Sequence, residues 1–273
     1  MRDNQDLISS NSEAKVTSIL DIRRIEELSI NARPSLKQIH YDGWVLRFAG
    51  GYTRCSNSVN PLYPGDLDVR RKIRHCESVY RAAGLPTIFK IMAAAQPAGI
   101  RDALSAVGYR EQARTSVQSF DLSLLPSDSA GPSSISVRGW DYPSDEWLWA
   151  FVQFALVAQQ QEPLLRTILG NIAPRARFAA VNDAEGICAC GMAVLEDDWL
   201  GLFDIVTRPE CRRRGFGRHV ANALLDWGLA NGSARAYLQV MLDNVAARSL
   251  FAGIGFRELY QCVYLVEWDY SLV

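Results

Sequence analysis

The chain is poor in the residues that most recognisable chemistries require. Its three histidines, His40, His75 and His219, lie far apart, and its six cysteines follow no zinc-ligand spacing. The nearest pair, Cys188 and Cys190, would share one face of a strand, so the thiols read as reduced cysteines of a cytosolic protein. There is no Gly-Lys-Ser/Thr run, which excludes a P-loop, and the Gly-x-Gly-x-x-Gly of dinucleotide binders is also missing. A formal net charge of -1 offers nothing to attract nucleic acid or an acidic membrane. No apolar run nears the roughly 18 residues of a membrane span. The opening "MRDNQDLISSNSEAK" lacks the apolar core of a secretory signal. These absences predict a cytoplasmic protein with no metal, no nucleic-acid partner and no membrane contact. They leave the oligomeric state open, a homodimer included.

What remains is ample for a packed core. The 273 residues are 48% hydrophobic, long for one domain and comfortable for two. The boundary falls in "LLPSDSAGPSS", Leu124 to Ser134, rich in Ser, Pro and Gly. Before it, periodicity predicts helices over Ile19–Ile30, Asp68–Ala83 and Pro97–Val107. A strand pair around Gly50-Gly51, a strand over Pro86–Met92 and strands from Tyr109 to Leu122 accompany them. After it, a short strand over Ser134–Gly139 precedes helices over Asp145–Ala158 and Glu162–Leu169. Strands follow near Arg177–Asn182, Ile187–Leu195 and Leu200–Thr207. A helix over Gly215–Ala230, a strand over Ala236–Met241, a helix over Val245–Ala252 and strands over Phe256–Glu267 close the chain. That order predicts an α/β (α+β) sheet protein.

Two stretches echo each other. "GLPTIFKIMAAAQPAGIRDALSAVGYREQ" closes the first half and "SARAYLQVMLDNVAARSLFAGIGFRELYQ" the second. Each has a strand ending in Met, a short helix, then Gly-aromatic-Arg-Glu (Gly108–Glu111, Gly255–Glu258). The chain therefore reads as two copies of one fold.

Only the second copy carries "PECRRRGFGRHVANALLDWG", Pro209 to Gly228. Phe216, Val220, Leu224 and Trp227 share a helical face. Arg212, Arg213 and Arg214 precede that helix and Arg218 lies in its first turn, where the backbone already carries about half a positive charge. An anion resolves the conflict: helix-start N–H groups, unshielded at Gly215 and Gly217, form a phosphate site that arginines reinforce.

Arg212-Arg213-Arg214-Gly215-Phe216-Gly217 resembles the Arg/Gln-x-x-Gly-x-Gly/Ala loop of the Gcn5-related N-acetyltransferases. Downstream, Asn244, Ala247, Leu250, Gly255 and Phe256 resemble the second signature of the same superfamily. The likeness covers about Ser134 to Trp268. It implies two mixed-sheet domains of that fold in tandem: a degenerate one over 1–123, a linker over 124–133, and an acetyl-CoA-binding one over 134–273. In the first, the basic residues of "YPGDLDVRRKIRHCESVY" lie inside a helix and read as a solvated face.

The resemblance implies roles for further residues. The strand ending at Thr207 would pair with the pantetheine arm, with Ile205, Val206 and Thr207 giving backbone contacts. Gly215, Phe216, Gly217 and Arg218 would offer N–H groups to the pyrophosphate, and Arg212 and Arg214 their side chains. Asn244, Ala247 and Phe251 would also border the cofactor. Asp204 is the one acid of that strand. Partial desolvation would make it a better proton acceptor, acting through water, although a structural Asp is an equal alternative. Phe251 stands where many members have a proton-donating Tyr. Tyr260 is the substitute candidate for catalysis, with Tyr264 beside it, although packing suits both. Trp147 and Trp149 lie in helices that border the acceptor groove in the superfamily. The resulting expectation is acetyl transfer from acetyl-CoA to a small-molecule primary amine. A peptide or protein acceptor, or a coenzyme A-binding module without turnover, are the alternatives.

Overall fold

The computed structural model describes residues 18–126 and 136–267. All of the expected linker beyond residue 126 therefore lies outside the described residues. Its beginning does not: Leu122–Leu124 forms a single 3-10 turn, and the buried Leu122 donates its N–H to the Ala234 carbonyl at 3.0 Å.

In the first half, helix α1 (Ile19–Ala32) starts at a capping box in which Ser18 and Asp21 satisfy each other's N–H groups. There follow β1 (Lys37–Tyr41), β2 (Trp44–Phe48), β3 (Val59–Asn60), α2 (Val69–Ala82), β4 (Ile88–Ile91), α3 (Ile100–Ala106) and β5 (Tyr109–Asp121). The second half comprises β6 (Val137–Trp140), α4 (Asp145–Phe154), α5 (Glu162–Gly170), β7 (Arg175–Asp183), β8 (Gly186–Glu196) and β9 (Trp199–Thr207). It ends with α6 (Phe216–Ala230), β10 (Arg235–Met241), α7 (Val245–Ile254) and β11 (Arg257–Glu267).

The strand pair expected around Gly50-Gly51 is β2 with β3, antiparallel, with Val45 opposite Asn60 and Leu46 opposite Val59, and a further hairpin precedes it. The reversal joining β1 to β2 is Asp42-Gly43, with φ of 44° and 83°, the left-handed pair that a two-residue hairpin needs. Gly50-Gly51 opens the loop that joins β2 to β3, where the Asn57 side chain accepts the Ala49 and Gly51 N–H groups at 2.8 and 3.1 Å.

The eleven strands form one sheet in the order β1-β2-β3-β4-β11-β5-β10-β9-β8-β7-β6. Each half's closing strand lies beside the other half's inner strand. β5 pairs antiparallel with β10, and β11 pairs antiparallel with β4. Between them β5 and β11 run antiparallel, with Thr115 opposite Cys262. Counted from Gly108 and Gly255, these are the same position of the two repeats, so a pseudo-two-fold axis passes between them. Lys90 and Gln239, each two residues before the Met of its repeat (Met92 and Met241), hydrogen-bond to each other at 3.1 Å.

The exchange also joins the cores. Trp199, Tyr237 and Tyr260 of the second half complete the cluster under the first. Phe120 and Leu122 enter the second half's cluster, and Ala49 and Tyr52 pack with Trp147 and Phe151. At the seam, fully buried Glu26 accepts from Lys90 at 2.5 Å and from the Tyr260 hydroxyl at 2.9 Å. A charge buried that deeply is tolerated only when paired, and removing one partner typically costs about 3–5 kcal/mol.

Because the sheet runs unbroken across the two halves and each large cluster draws residues from both, calorimetry should show a single unfolding transition. Two resolved transitions, or a stable fragment ending before β6, would contradict a shared sheet.

Candidate active site

The parallel ladder between β9 and β10 covers only Trp199–Leu202 against Arg235–Leu238. Beyond it β9 continues to Thr207, paired with β8, while β10 continues to Met241, paired with β5. The two strands diverge, and the backbone edge of Phe203–Thr207 turned toward β10 has no strand partner among the described residues. The divergence coincides with a bulge. Cys190 faces Val206 and Met192 faces Phe203, so Gly191 alone opposes Asp204 and Ile205. Asp204 takes the bulge conformation, with φ of 56°. A Cβ on Gly191 would lie 2.6 Å from Ile205 Cγ1, so glycine is required there. The fully buried Trp147 fixes the same point: its indole N–H lies 3.0 Å from the Gly191 carbonyl and 3.2 Å from that of Ala179. Trp147 is thus a core residue, whereas Trp149 is exposed.

A cavity of about 510 Å³ opens where the strands part. Phe203 and Asp204 line it from one strand, Gln239 and Met241 from the other. Twelve of its eighteen lining residues precede the linker, so the first half forms most of its wall. From that wall Arg33, just past the end of α1, forms an ion pair with Asp204; their side chains are 9% and 14% exposed. Burial works against the Arg33 charge, but the Asp204 carboxylate more than compensates and raises the guanidinium above its ordinary value. Asp204 is therefore one half of an ion pair spanning the two repeats, not an isolated acid in an apolar strand. Thr53, also on the wall, has a φ of 58°, a strained conformation for a β-branched residue.

The two tyrosines separate. Tyr264 lines the cavity, and burial raises its hydroxyl far above the ordinary value, so it holds its proton. Tyr260 does not line it. Its hydroxyl is committed to Glu26, and burial followed by that carboxylate pushes its ionisation higher still. The structure corrects the expectation for Tyr260: it is a packing residue of the seam.

The arginine loop lies at the far end of β9. Gly215 (φ 86°) starts α6 with no side-chain cap, and open space surrounds its missing Cβ up to His219 Nε2 at 4.0 Å. The first helical bonds run from the Arg218 and His219 N–H groups to the Gly215 carbonyl, at 2.9 and 3.1 Å. The Arg218 N–H is thus used by the helix, and its guanidinium donates to the Gly253 carbonyl at 3.2 Å. That corrects its expected place among the free donors and leaves the N–H groups of Gly215, Phe216 and Gly217 at the helix mouth. Gly217 lets the helix close on its neighbours: a Cβ there would meet Thr207 Oγ1 at 3.2 Å and Leu250 Cδ1 at 3.3 Å. Arg212, Arg213 and Arg214 are exposed. Arg212 reaches the Thr207 carbonyl at 3.4 Å, and Arg214 lies over the Phe216 ring, 5.0 Å from its centroid. An uncapped helix end beneath exposed guanidinium groups fits a diphosphate.

Asp183, Cys188 and Cys211 converge just before this loop, each offering a ligand atom within 4.8 Å of the others. The cationic place between them is held by Arg208, whose Nε lies 3.3 Å from Cys211 Sγ and whose amino group lies 3.3 Å from Asp183. The cluster anchors the loop. Asn244 caps α7, its side chain accepting the Ala247 N–H at 3.1 Å. Phe251 is buried against Phe256, with ring centroids 5.6 Å apart. These three residues build α7 and its core.

A protein-family profile described as "Probable histone acetyltransferase Rv0428c C-terminal" matches residues 17–265. The chain is 30% identical over 250 residues to "Uncharacterized N-acetyltransferase YobR" of Bacillus subtilis, covering 90% of this chain and 99% of that protein. The chain belongs to this acetyltransferase family. Its fold matches a Gcn5-related N-acetyltransferase from Kribbella flavida, with a TM-score of 0.70 at 15% identity over 92% of this chain and 96% of the other. It also matches a tandem protein of that superfamily from the clavulanic acid biosynthesis pathway, with a TM-score of 0.58 at 16% identity over 72% and 68%.

The acetyltransferase cavity includes residues that sequence reasoning missed, namely Arg33, Arg47, Arg54 and Cys55. No local pattern marks them. The available signal was the Asp204 carboxylate itself, which required a cation from elsewhere in the chain.

Replacing Gly191 by Ala should displace Ile205 and re-aim Asp204. Overpacking of this kind costs about 1–3 kcal/mol, read by urea denaturation. A shift of about 1 Å at Asp204 should lower kcat by about 100-fold in protein that remains folded. A variant with native turnover would show that the bulge does not position Asp204.

Proposed function

We propose that this acetyltransferase moves the acetyl group of acetyl-CoA to a primary amine of a small molecule, by direct attack in a ternary complex. The observation that carries this reading is the cavity at the parting of β9 and β10. There Asp204 faces a space walled mainly by the other repeat. The amino-terminal copy, taken as residues 1–123, thus serves as the acceptor wall of a carboxy-terminal copy taken as 134–273.

Acetyl-CoA supplies an activated acyl carbon and a thiolate that departs readily. The chain supplies binding and proton handling. Gly215, Phe216 and Gly217 donate backbone N–H groups to the diphosphate, and Arg212 and Arg214 add charge-assisted bonds. The unpaired edge at Ile205, Val206 and Thr207 extends the sheet to the pantetheine amides and directs an N–H at the developing oxyanion. Asp204, oriented by Arg33, takes the ammonium proton through a water, which frees the nitrogen lone pair. The new C–N bond forms as the C–S bond breaks. Tyr264, which keeps its proton at neutral pH, is the hydroxyl on the cavity wall suited to meet the leaving sulfur; Phe251 cannot.

The second reading is a peptide or protein amine as acceptor, favoured by the histone wording of the matching family. Absence of any membrane-length apolar helix among the described residues accords with a cytoplasmic setting for either.

The test is thiol release from acetyl-CoA across an amine panel. Asp204→Asn should lower kcat by about 10²–10⁴-fold, the usual worth of a positioned base, with acetyl-CoA affinity intact. Arg212→Ala and Gly215→Glu should each raise the acetyl-CoA Kd tenfold or more, since a hydrogen bond to a charged group is worth about 1.5–3 kcal/mol. Unchanged affinity in both variants would remove the diphosphate from this loop. Tight acetyl-CoA binding without turnover on any amine would indicate a module that binds and does not transfer.

A further inference from the structure

The cavity holds more positive charge than its carboxylates balance. Asp204 is taken by Arg33, and Glu26 by Lys90. Arg47 and Arg54 also line the space, and among the described residues neither forms an ion pair. Arg47 is only 2% exposed. Its amino groups donate to the carbonyls of Cys55, Arg33 and, at 3.3 Å, Ile30, all neutral acceptors. Its Nε is buried with no hydrogen-bond partner, and so is the Nε of Arg54.

An arginine does not escape this situation by losing its proton. A buried charge without a counter-charge is costly, and a buried donor without an acceptor adds to that cost. Such a site is completed by an anion from outside. The half-buried Cys55 on the same wall registers the field: burial opposes its ionisation, yet Arg33, Thr53 and Arg47 together bring the thiol below its ordinary value.

We propose that the acceptor is an amine that carries its own acid group, a carboxylate or a phosphate, seated toward Arg54 in the field of Arg47 while the amine faces Asp204. This rests on the acetyl-transfer reading above and narrows it. The two ends of such a molecule need opposite partners, and the cavity presents them: a carboxylate on β9 and unbalanced guanidinium groups on the opposite wall. A lysine-rich peptide brings cationic neighbours to that wall and would be repelled.

Matched amines test this: β-alanine against β-alaninamide, and phosphoethanolamine against ethanolamine. Cadaverine and a lysine-rich peptide provide the cationic arm. The acid-bearing member of at least one pair should show a kcat/KM at least tenfold higher, which also separates carboxylate from phosphate. Arg54→Gln should collapse that ratio. Preference for the neutral or cationic member, or an unchanged ratio in Arg54→Gln, overturns the proposal while leaving acetyl transfer standing.

A second readout needs no turnover. Cys55, the one cysteine of the six that is not buried, is alkylated by iodoacetate and by iodoacetamide in the full-length protein, with the modified peptide quantified by mass spectrometry. The iodoacetate-to-iodoacetamide rate ratio should exceed that of free cysteine at least threefold and fall in Arg54→Gln. A ratio equal to or below that of free cysteine overturns the anionic subsite even if no amine is acetylated.

Discussion

The antiparallel contact between β5 and β11 is the constraint on which the rest depends. It places the closing strand of each repeat inside the other, around Thr115 and Cys262. With that exchange the sheet is continuous, the large clusters mix residues of both halves, and the end of α1 is carried to within ion-pair distance of β9. Two tandem domains joined only by a linker would bring together neither Arg33 with Asp204 nor Lys90 with Gln239. Loop-closure cost grows slowly with chain length, so such distant pairings are thermodynamically affordable once the strands meet.

The site arises where this regular sheet is interrupted. Parallel pairing of β9 with β10 stops at Leu202, the strands spread, and a bulge opposite Gly191 turns Asp204 into the gap. Each interruption is held by rigid neighbours. Trp147 ties down the Gly191 carbonyl, and Gly217 lets α6 close against Thr207. A left-handed Asp and a left-handed Thr, at 204 and 53, face one cavity from opposite repeats. Strained backbone persists where its surroundings over-determine it, and here it borders the space where chemistry is proposed.

How much of this was legible in the sequence depended on how local each cause was. The arginine loop and α6 were readable because the clash of cations with a helix start is contained in a few consecutive residues. The repeat was readable from Gly108–Glu111 and Gly255–Glu258, and those motifs do open β5 and β11. The β2–β3 pair around Gly50-Gly51 was readable, whereas the β1–β2 hairpin was missed because Asp42-Gly43, the pair whose conformations its turn demands, lies inside what reads as one continuous strand. Asn244 and Phe251 matched a pattern, and the structure shows that pattern supporting a helix cap and a core contact. Tyr260 was left between catalysis and packing because its partner, Glu26, lies on a helix more than two hundred residues away. Arg33, Arg47 and Arg54 were invisible for the same reason. What selects them is a carboxylate and a cavity assembled by strand exchange, and no sequence window spans that distance.

The loss of the arginine loop from the amino-terminal copy then acquires a physical reading. Two full copies would each need a helix mouth open to an anion and an acceptor wall supplied by something else. In this chain one copy keeps the uncapped glycine start of α6, whereas the corresponding helix α2 is capped by Asp68, whose carboxylate takes the Arg71 N–H at 3.0 Å. A side-chain carboxylate in that position fills the donors and the field that would otherwise draw a phosphate. The copy so closed carries Arg47 and Arg54 on its inner wall, neither in an ion pair among the described residues. Arg47 there ties down the Cys55, Arg33 and Ile30 carbonyls, but its Nε has no acceptor and its charge no carboxylate among the described residues. Under the proposed function an acid group entering the cavity would answer that charge, with the amino-terminal repeat choosing the acceptor and the carboxy-terminal repeat bringing the donor.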